Sequence, residues 1–290
     1  MKKTMLLAAA LFAAGSAHAK DKLITLAPAD AALLKDKTIA LTVHERPSFV
    51  AMTAGKATFG LFGVAAMVGA GNKLVDDNHV QDPAVVVREQ LGNALQTEYG
   101  AKLLPIDATP TKSEKAKDLA ALHADADYVL DVRSGGWNFA YFPTSWGTYW
   151  VGYSVQVQLV DAKTGRQVSN AACNANTHDH ANPPSREELL ANNAQLLKDV
   201  TTGLGWTCVQ LLAHDQFALA TGHVAATPAA FVDALAARTP AAPTPTAAAT
   251  SEAPAATPAA TGTEGAAAPA ATPDAGVAPE AQPAKENGNG

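Results

Sequence analysis

Ala126-Asp-Tyr-Val-Leu-Asp-Val-Arg133 opens the stretch that decides the fold. It continues through Gly135-Gly136 and Trp137-Asn-Phe-Ala-Tyr-Phe142 to a Pro-Thr-Ser-Trp-Gly tip, and returns as Tyr149-Trp-Val-Gly-Tyr-Ser-Val-Gln-Val-Gln-Leu-Val160. The return alternates: Tyr149, Val151, Tyr153, Val155, Val157 and Leu159 share one face, and Gln156 and Gln158 take the other. A period of two marks a half-buried strand. Asp161-Ala-Lys-Thr-Gly165 then reads as a turn with glycine where a left-handed residue is needed, and Arg166 to about Asn174 as a third strand. The stretch is therefore expected to be a long antiparallel meander with an aromatic tip.

Upstream, Lys37-Thr-Ile-Ala-Leu-Thr-Val43 reads as a first strand, short and β-branched. Asp82-Pro83 opens a helix, with aspartate at the N-cap and proline at the first helical position. Val87, Leu91, Leu95 and Tyr99 form its stripe and Gly100 ends it. Lys102-Leu-Leu-Pro-Ile106 is a second strand whose proline fits an edge or strand end. Ser113 is expected to cap a second helix to about Ala124, with Leu119 and Leu122 inward. Downstream, Ser185 and Glu188 make a capping box for a helix carrying Leu189, Leu196, Leu197 and Val200. Gly203 and Gly205 are expected to interrupt it before a further run from Trp206 to about Ala220. The order is β-α-β-α-β-β-β-α. This is an α/β (α+β) single domain over residues 20–238, long enough for a sizeable core.

The ends read differently. Residues 1–19 have the pattern of a secretory signal: Lys2 and Lys3, an apolar Met5 to Ala14, and Ala17-His18-Ala19, with cleavage between Ala19 and Lys20. No cysteine follows that site, so lipid anchoring is not indicated. Removing the two lysines takes the formal net charge from −6 to −8, an acidic balance that argues against nucleic acid as a partner. Residues 239–290 hold no aromatic, Leu, Ile or Met, with Val277 the one large aliphatic, and read as a disordered Ala/Pro/Thr-rich tail or spacer. The two cysteines of the mature chain, Cys173 and Cys208, read first as a disulfide in an oxidising compartment, with free or metal-bound thiols as the alternative. The expected location is the periplasm, with membrane association left open.

The order of elements, and the run Gly152-Tyr-Ser-Val-Gln-Val-Gln-Leu-Val-Asp-Ala-Lys-Thr-Gly165-Arg-Gln-Val with Ala126-Asp127-Tyr128 before it, resemble a family of bacterial envelope proteins. That family includes the curli-secretion lipoprotein, the outer-membrane activators of penicillin-binding proteins and the amino-terminal domain of the Tol translocation protein. The resemblance covers about residues 37 to 215. It implies a non-catalytic assembly or adaptor role and names no partner. The chain departs from the family in lacking the lipid-bearing cysteine and in a long insertion between the first strand and first helix. A likeness to uncharacterised exported Gram-negative proteins implies no function.

Three regions are candidate sites. The aromatic tip is the first: Trp137, Phe139, Tyr141, Phe142, Trp146, Tyr149, Trp150 and Tyr153 lie within 17 residues and make up half of the mature chain's aromatics. Inward rings belong to the core. Exposed ones near Pro143 to Thr148 mark contact with a protein, glycan or membrane surface. The binding candidates are Trp137, Tyr141, Phe142, Trp146, Tyr149 and Trp150. The second region is the insertion, about 49–78, with the uncharged run Ala57 to Gly71. It is too short to span a bilayer unaided. It reads either as an apolar helix covering the sheet or as a membrane-inserting or self-associating element, which leaves a homo-oligomer open. The third is His178-Asp179-His180, a weak zinc or copper pattern that Cys173, His214 or Asp215 would have to complete.

Other chemistries lack their residues. Gly55-Lys56 would need glycine at 50 and Ser or Thr at 57 for a phosphate loop, and these positions are Val50 and Ala57. There is no Gly-x-Ser-x-Gly and no Cys-x-x-Cys, and Glu45, Asp127 and Asp131 are scattered with no evident acid–base pairing. No cofactor is expected. The leading expectation is a non-catalytic envelope binding or assembly protein. The alternatives are a periplasmic metal-binding or metal-dependent hydrolytic protein using His178 and His180, and a membrane-inserting oligomer.

Overall fold

The computed structural model describes residues 23–57 and 60–238. The expected signal segment, its cleavage site at Ala19 and Lys20, and the tail from residue 239 lie outside them. The described residues form a mixed α+β fold around one open sheet of six strands. Its elements are α1 (Pro28–Ala32), β1 (Thr38–Leu41), β2 (Phe49–Met52), α2 (Ala54–Ala57), α3 (Gly60–Asp77), α4 (Ala84–Tyr99), β3 (Lys102–Leu103), α5 (Ala116–Leu122), β4 (Tyr128–Phe142), β5 (Ser145–Asp161), β6 (Arg166–Asn176), α6 (Arg186–Asp215) and α7 (Ala229–Val232), with a short 3-10 turn at Thr221–His223 before α7.

The meander is the spine. β4 and β5 pair antiparallel from Tyr128↔Asp161 to Phe142↔Ser145, and β5 pairs with β6 from Gly152↔Asn176 to Asp161↔Arg166. The turn between β5 and β6 forms as its residues dictate. Asp161 Oδ1 accepts the N–H groups of Lys163 and Thr164, and Gly165 takes φ 68°. The other edge of β4 is shared. β1 pairs with its first residues, Ile39↔Tyr128 to Leu41↔Leu130, and β2 with its last, Phe49↔Trp137 to Met52↔Ala140, both parallel. The sheet thus has a proximal half ordered β3-β1-β4-β5-β6 and a distal half in which β2 takes the place of β1.

Helices α4 and α6 cover one face. Val87, Leu91 and Leu95 of α4 are fully buried, as their spacing requires. Leu197, Val200, Val209 and Leu212 of α6 join the same core as Val155, Val157 and Leu159 of β5. Cys173 of β6 and Cys208 of α6 form a disulfide that ties this layer to the sheet. The capping box at Ser185 and Glu188 is present in both directions. On the opposite face, α5 covers only the proximal half, where Leu119 and Ala120 meet Val129, Val160 and Ala162.

Several local expectations are corrected. Gly203 and Gly205 do not interrupt α6. A Cβ at Gly203 would meet the Phe231 carbonyl oxygen at 2.6 Å, and one at Gly205 would meet Pro83 Cβ at 3.0 Å, so both glycines serve close packing. The break falls at Ala191–Ala194, where Asn192, Asn193 and Ala194 adopt left-handed φ. α6 ends at Asp215, short of Ala220. Ser113 does not cap α5; that helix starts after Lys115 with no side-chain cap, and Leu122 is exposed. Asp82 accepts the Ala84 N–H, but the helix begins one residue later than expected, after Pro83. The second strand shrinks to Lys102–Leu103.

The insertion holds the unexpected sixth strand, β2, and the helix α3 that lies along its outer edge. Phe49 N–H donates to Asn72 Oδ1 at 2.9 Å, and Gly71 sits against the Phe49 carbonyl. An unpaired strand edge invites pairing with other chains, and α3 covers this one. Met67, Gly71 and Val75 are buried on that side. The exposed side near the start of α3 carries Phe62, 87% exposed, and Val64. No helix among the described residues is long and apolar enough to cross a membrane.

Candidate functional site

Side chains alternate along β4 and β5, so the hairpin aromatics divide between two faces. A bulge between Ser134 and Gly136 sets which ring goes where. Before it, the even residues Leu130 and Val132 face the helices; after it, the odd residues do. One inserted residue reverses the phase of everything beyond it. Trp137, Phe139, Tyr149 and Tyr153 are therefore buried under the helical layer. Trp137 donates its indole N–H to the Pro47 carbonyl at 3.0 Å, and Phe49 meets Trp137 and Phe139 edge-on. Tyr141 packs partly buried on the same core. Of the six binding candidates, Trp137 and Tyr149 are buried core residues, and Trp137 also lines the groove described below.

The remaining three lie elsewhere. Trp146 stands at the tip, 66% exposed, its indole N–H bonded to the Pro143 carbonyl. Phe142 and Trp150 lie off the helical core and converge on His178, at ring-centroid distances of 5.1 and 5.8 Å. Trp150 leans along its strand over Gly152, where a Cβ would meet the indole Cζ3 at 2.8 Å. Only glycine permits that posture.

Beside Trp150 no helix among the described residues lines this face of the distal half of the sheet, and a groove of about 580 Å³ lies there. Val50, Met52 and Ala140 give it an apolar strip, and Asn138, Asn174, Asn176, Ser48 and Ser154 give it amides and hydroxyls. None of its lining side chains is formally charged. Asn176 Oδ1 accepts the His178 N–H, and Ser154 Oγ donates to the Gly136 carbonyl. The side-chain amides of Asn138, half-buried, and Asn174, exposed, make no hydrogen bond among the described residues.

The candidate metal histidines do not converge. His178 lies 3.3 Å from Asp179 Oδ1 and stacks with the rings, whereas His180 reaches Asp233 Oδ1 at 3.4 Å and accepts the Asn182 N–H. Cys173 is held in the disulfide, and His214 pairs with Asp215. Among the described residues no three His, Cys, Asp or Glu side chains cluster as a metal site.

A buried polar network escaped the sequence reading. Asp131, 1% exposed, points to the α5 side of β4. Its Oδ1 accepts from Thr42 Oγ1 at 2.7 Å and lies 2.5 Å from His44 Nε2; its Oδ2 accepts from Gln158 Nε2 at 2.9 Å. Burial opposes the charge, but the bonds from His44, Thr42 and Gln158 outweigh it and hold the carboxyl below its usual range. Gln158 is buried by this network although it faces away from the helices. The adjoining cleft, about 530 Å³, offers mixed charges: Lys115, Lys117 and Arg133 against Glu114, Asp118 and Asp131. Arg133 is committed to Gln156 and lies within 3.7 Å of both Glu114 and Asp131. The arrangement fastens the end of β1 to β4. Spacing hid it, because His44 and Asp131 are 87 residues apart.

On the helical side of the bulge, Asp82 accepts from Ser134 Oγ and from the Ala84 N–H, and Ser134 also bonds Tyr153. Burial raises the Asp82 carboxyl above its ordinary value against those bonds, and burial pushes the Tyr153 phenol up as well.

No known family model matches the chain, and no curated protein matches it. Solved structures with some likeness include a hypothetical protein, CT253, of Chlamydia trachomatis, at 11% identity and TM-score 0.31 over 62% of this chain and 96% of that one. A PelC dodecamer variant from Paraburkholderia phytofirmans follows at 14% and 0.29, over 68% and 95%. Lipoprotein GNA1162 of Neisseria meningitidis follows at 10% and 0.24, over 61% and 99%. Likeness at this level identifies no family.

Proposed function

We propose that this chain is an exported, non-catalytic binding protein of the bacterial envelope, whose working surface is the uncovered distal face of the hairpin. One observation carries the reading. Phe142, Trp150 and His178 gather on a sheet face that no helix covers among the described residues, next to a groove of uncharged polar groups. Large rings left outside a core mark contact with something else. Residues 1–19 direct export, the described domain does the binding, and residues 239–290 act as a spacer. Trp146 at the tip extends the contact surface.

The test is co-sedimentation of the purified mature chain with washed Gram-negative envelope particles. Trp150→Ala and Phe142→Ala are expected to release the chain while its thermal unfolding stays cooperative. Unchanged sedimentation of both folded variants removes the distal face from the function.

A second reading rests on α3, whose exposed Phe62 and Val64 offer an apolar surface to a membrane or a second copy. If Phe62→Ser moves the chain from the alkaline-washed membrane pellet to the soluble fraction, α3 makes the contact. A chain that is soluble before the change leaves the hairpin face alone.

A further inference from the structure

We infer that the distal groove is a binding site for an uncharged glycan, with Trp150 as the stacking platform. The inference rests on the proposed distal-face reading and gives its ligand a chemical class.

The argument begins with charge. Among the groove's lining residues none is Asp, Glu, Lys or Arg, in a chain whose formal net charge is −6. A phosphate, a carboxylate or a basic peptide would find no counter-charge here, and specific recognition of such groups uses one.

Polarity comes next. An acyl chain would cover the amides of Asn138, Asn174 and Asn176 without hydrogen-bonding to them, which costs free energy for each group desolvated. Asn138 and Asn174 are the telling pair, since their side-chain amides have no protein partner among the described residues. Each offers two N–H donors and one acceptor to a ligand, as a hydroxyl or acetamido group requires.

Shape completes the case. Proline-rich peptides dock between aromatic walls. Here a single indole leans over Gly152, with an apolar strip of Val50, Met52 and Ala140 beside it. A pyranose ring has an apolar C–H face and a rim of hydroxyls, and this surface offers a counterpart to each. The groove's volume, about 580 Å³, falls within the range of small-ligand sites.

The experiment titrates the full mature chain with three neutral hexasaccharides: chitohexaose, cellohexaose and maltohexaose. Calorimetry and tryptophan fluorescence report binding, and polygalacturonate serves as the anionic comparison. At least one neutral hexasaccharide is expected to bind with a Kd of about 1 mM or tighter, with polygalacturonate weaker. Trp150→Ala should weaken it about tenfold, the factor that about 1.4 kcal/mol of lost ring contact produces. Gly152→Ala, which lifts the indole, should weaken it comparably. Asn174→Ala alters an exposed amide and leaves the fold untouched, so its expected loss of severalfold does not depend on the tryptophan variant folding. Tighter binding of polygalacturonate, or of a peptide copying residues 239–262, overturns the glycan assignment. So does silence from all three sugars while envelope co-sedimentation still depends on Trp150, and the distal-face reading then survives alone. If co-sedimentation is also indifferent to Trp150, both fall together.

Discussion

Gly71→Ala and Gly69→Ala are the same chemical change two residues apart on α3, and the structure gives them opposite signs. A Cβ at Gly69 meets nothing within 4 Å on the exposed side of the helix. Alanine there should stabilise by about 0.5–1 kcal/mol, the usual difference between the two residues inside a helix. A Cβ at Gly71 would lie 2.0 Å from the Phe49 carbonyl oxygen, 2.8 Å from its carbon and 3.0 Å from Ala51 N. These are backbone atoms of β2, and they cannot rotate away. A carbon–oxygen contact needs about 3.3 Å, so the helix must retreat by about 1.3 Å. Retreat breaks the 2.9 Å bond from Phe49 N–H to Asn72 Oδ1 and loosens the packing of buried Met67 and Val75. Overpacking together with a lost buried hydrogen bond puts the cost at about 2–4 kcal/mol. Urea unfolding at constant m-value measures both variants against the parent. Amide exchange at Phe49 should accelerate in Gly71→Ala alone. Equal midpoints for the two variants would refute the edge-covering role of α3.

Three further outcomes are expected. Replacing Cys173 and Cys208 together by Ala opens a crosslink between residues 35 apart and should lower stability by about 2–4 kcal/mol, and dithiothreitol should do the same to the parent alone. Asp131 has a depressed carboxyl, so its contribution is present above the unfolded value near pH 4 and fades as pH falls through the folded one; Asp131→Asn should cost about 2–4 kcal/mol at neutral pH and flatten the acid side of the stability profile. Asp82 is raised by burial, which favours folding at low pH and is lost as pH rises through its folded value. Asp82→Asn should therefore gain on the parent from acid to neutral pH, and a constant difference in chemical denaturation across that range would contradict the assignment.

The meander was legible because its information is local: β-branched alternation, and a turn closed by Asp161 and Gly165. The α4 stripe and the Ser185 capping box were legible for the same reason. What failed was non-local or depended on packing. β2 is four residues whose sheet partner among the described residues is the far end of β4, so nothing near Phe49 in sequence reveals the pairing with Trp137. Gly203 and Gly205 looked like helix breakers because propensity counts backbone freedom and does not see Phe231 or Pro83 pressing close. The true break at Asn192-Asn193 uses residues that tolerate left-handed backbone, a signal present but outweighed by the glycines. For the candidate site, alternation put Tyr149 and Tyr153 on one face of the return strand, but the six binding candidates mixed rings of both faces. The phase across the Ser134–Gly136 bulge, and therefore which rings lie under the helices, came only from the fold. The gathering of Phe142 with His178 was likewise hidden, because the two had been assigned to different chemistries.

The shared edge of β4 has a consequence for the order of assembly. Both hairpins of the meander close between neighbours in the chain, but β1 and β2 join β4 by parallel pairing across about 90 residues, as the 89-residue separation of Thr38 and Asp127 illustrates. Long-range closure is slow relative to hairpin formation. The meander should therefore exist as a partly ordered ribbon while its first edge still waits for two separate strands. Because β1 and β2 precede β4 in the chain, both are already made when the ribbon forms, and synthesis from the N-terminus presents them to β4 in the order that leaves its edge open for the least time.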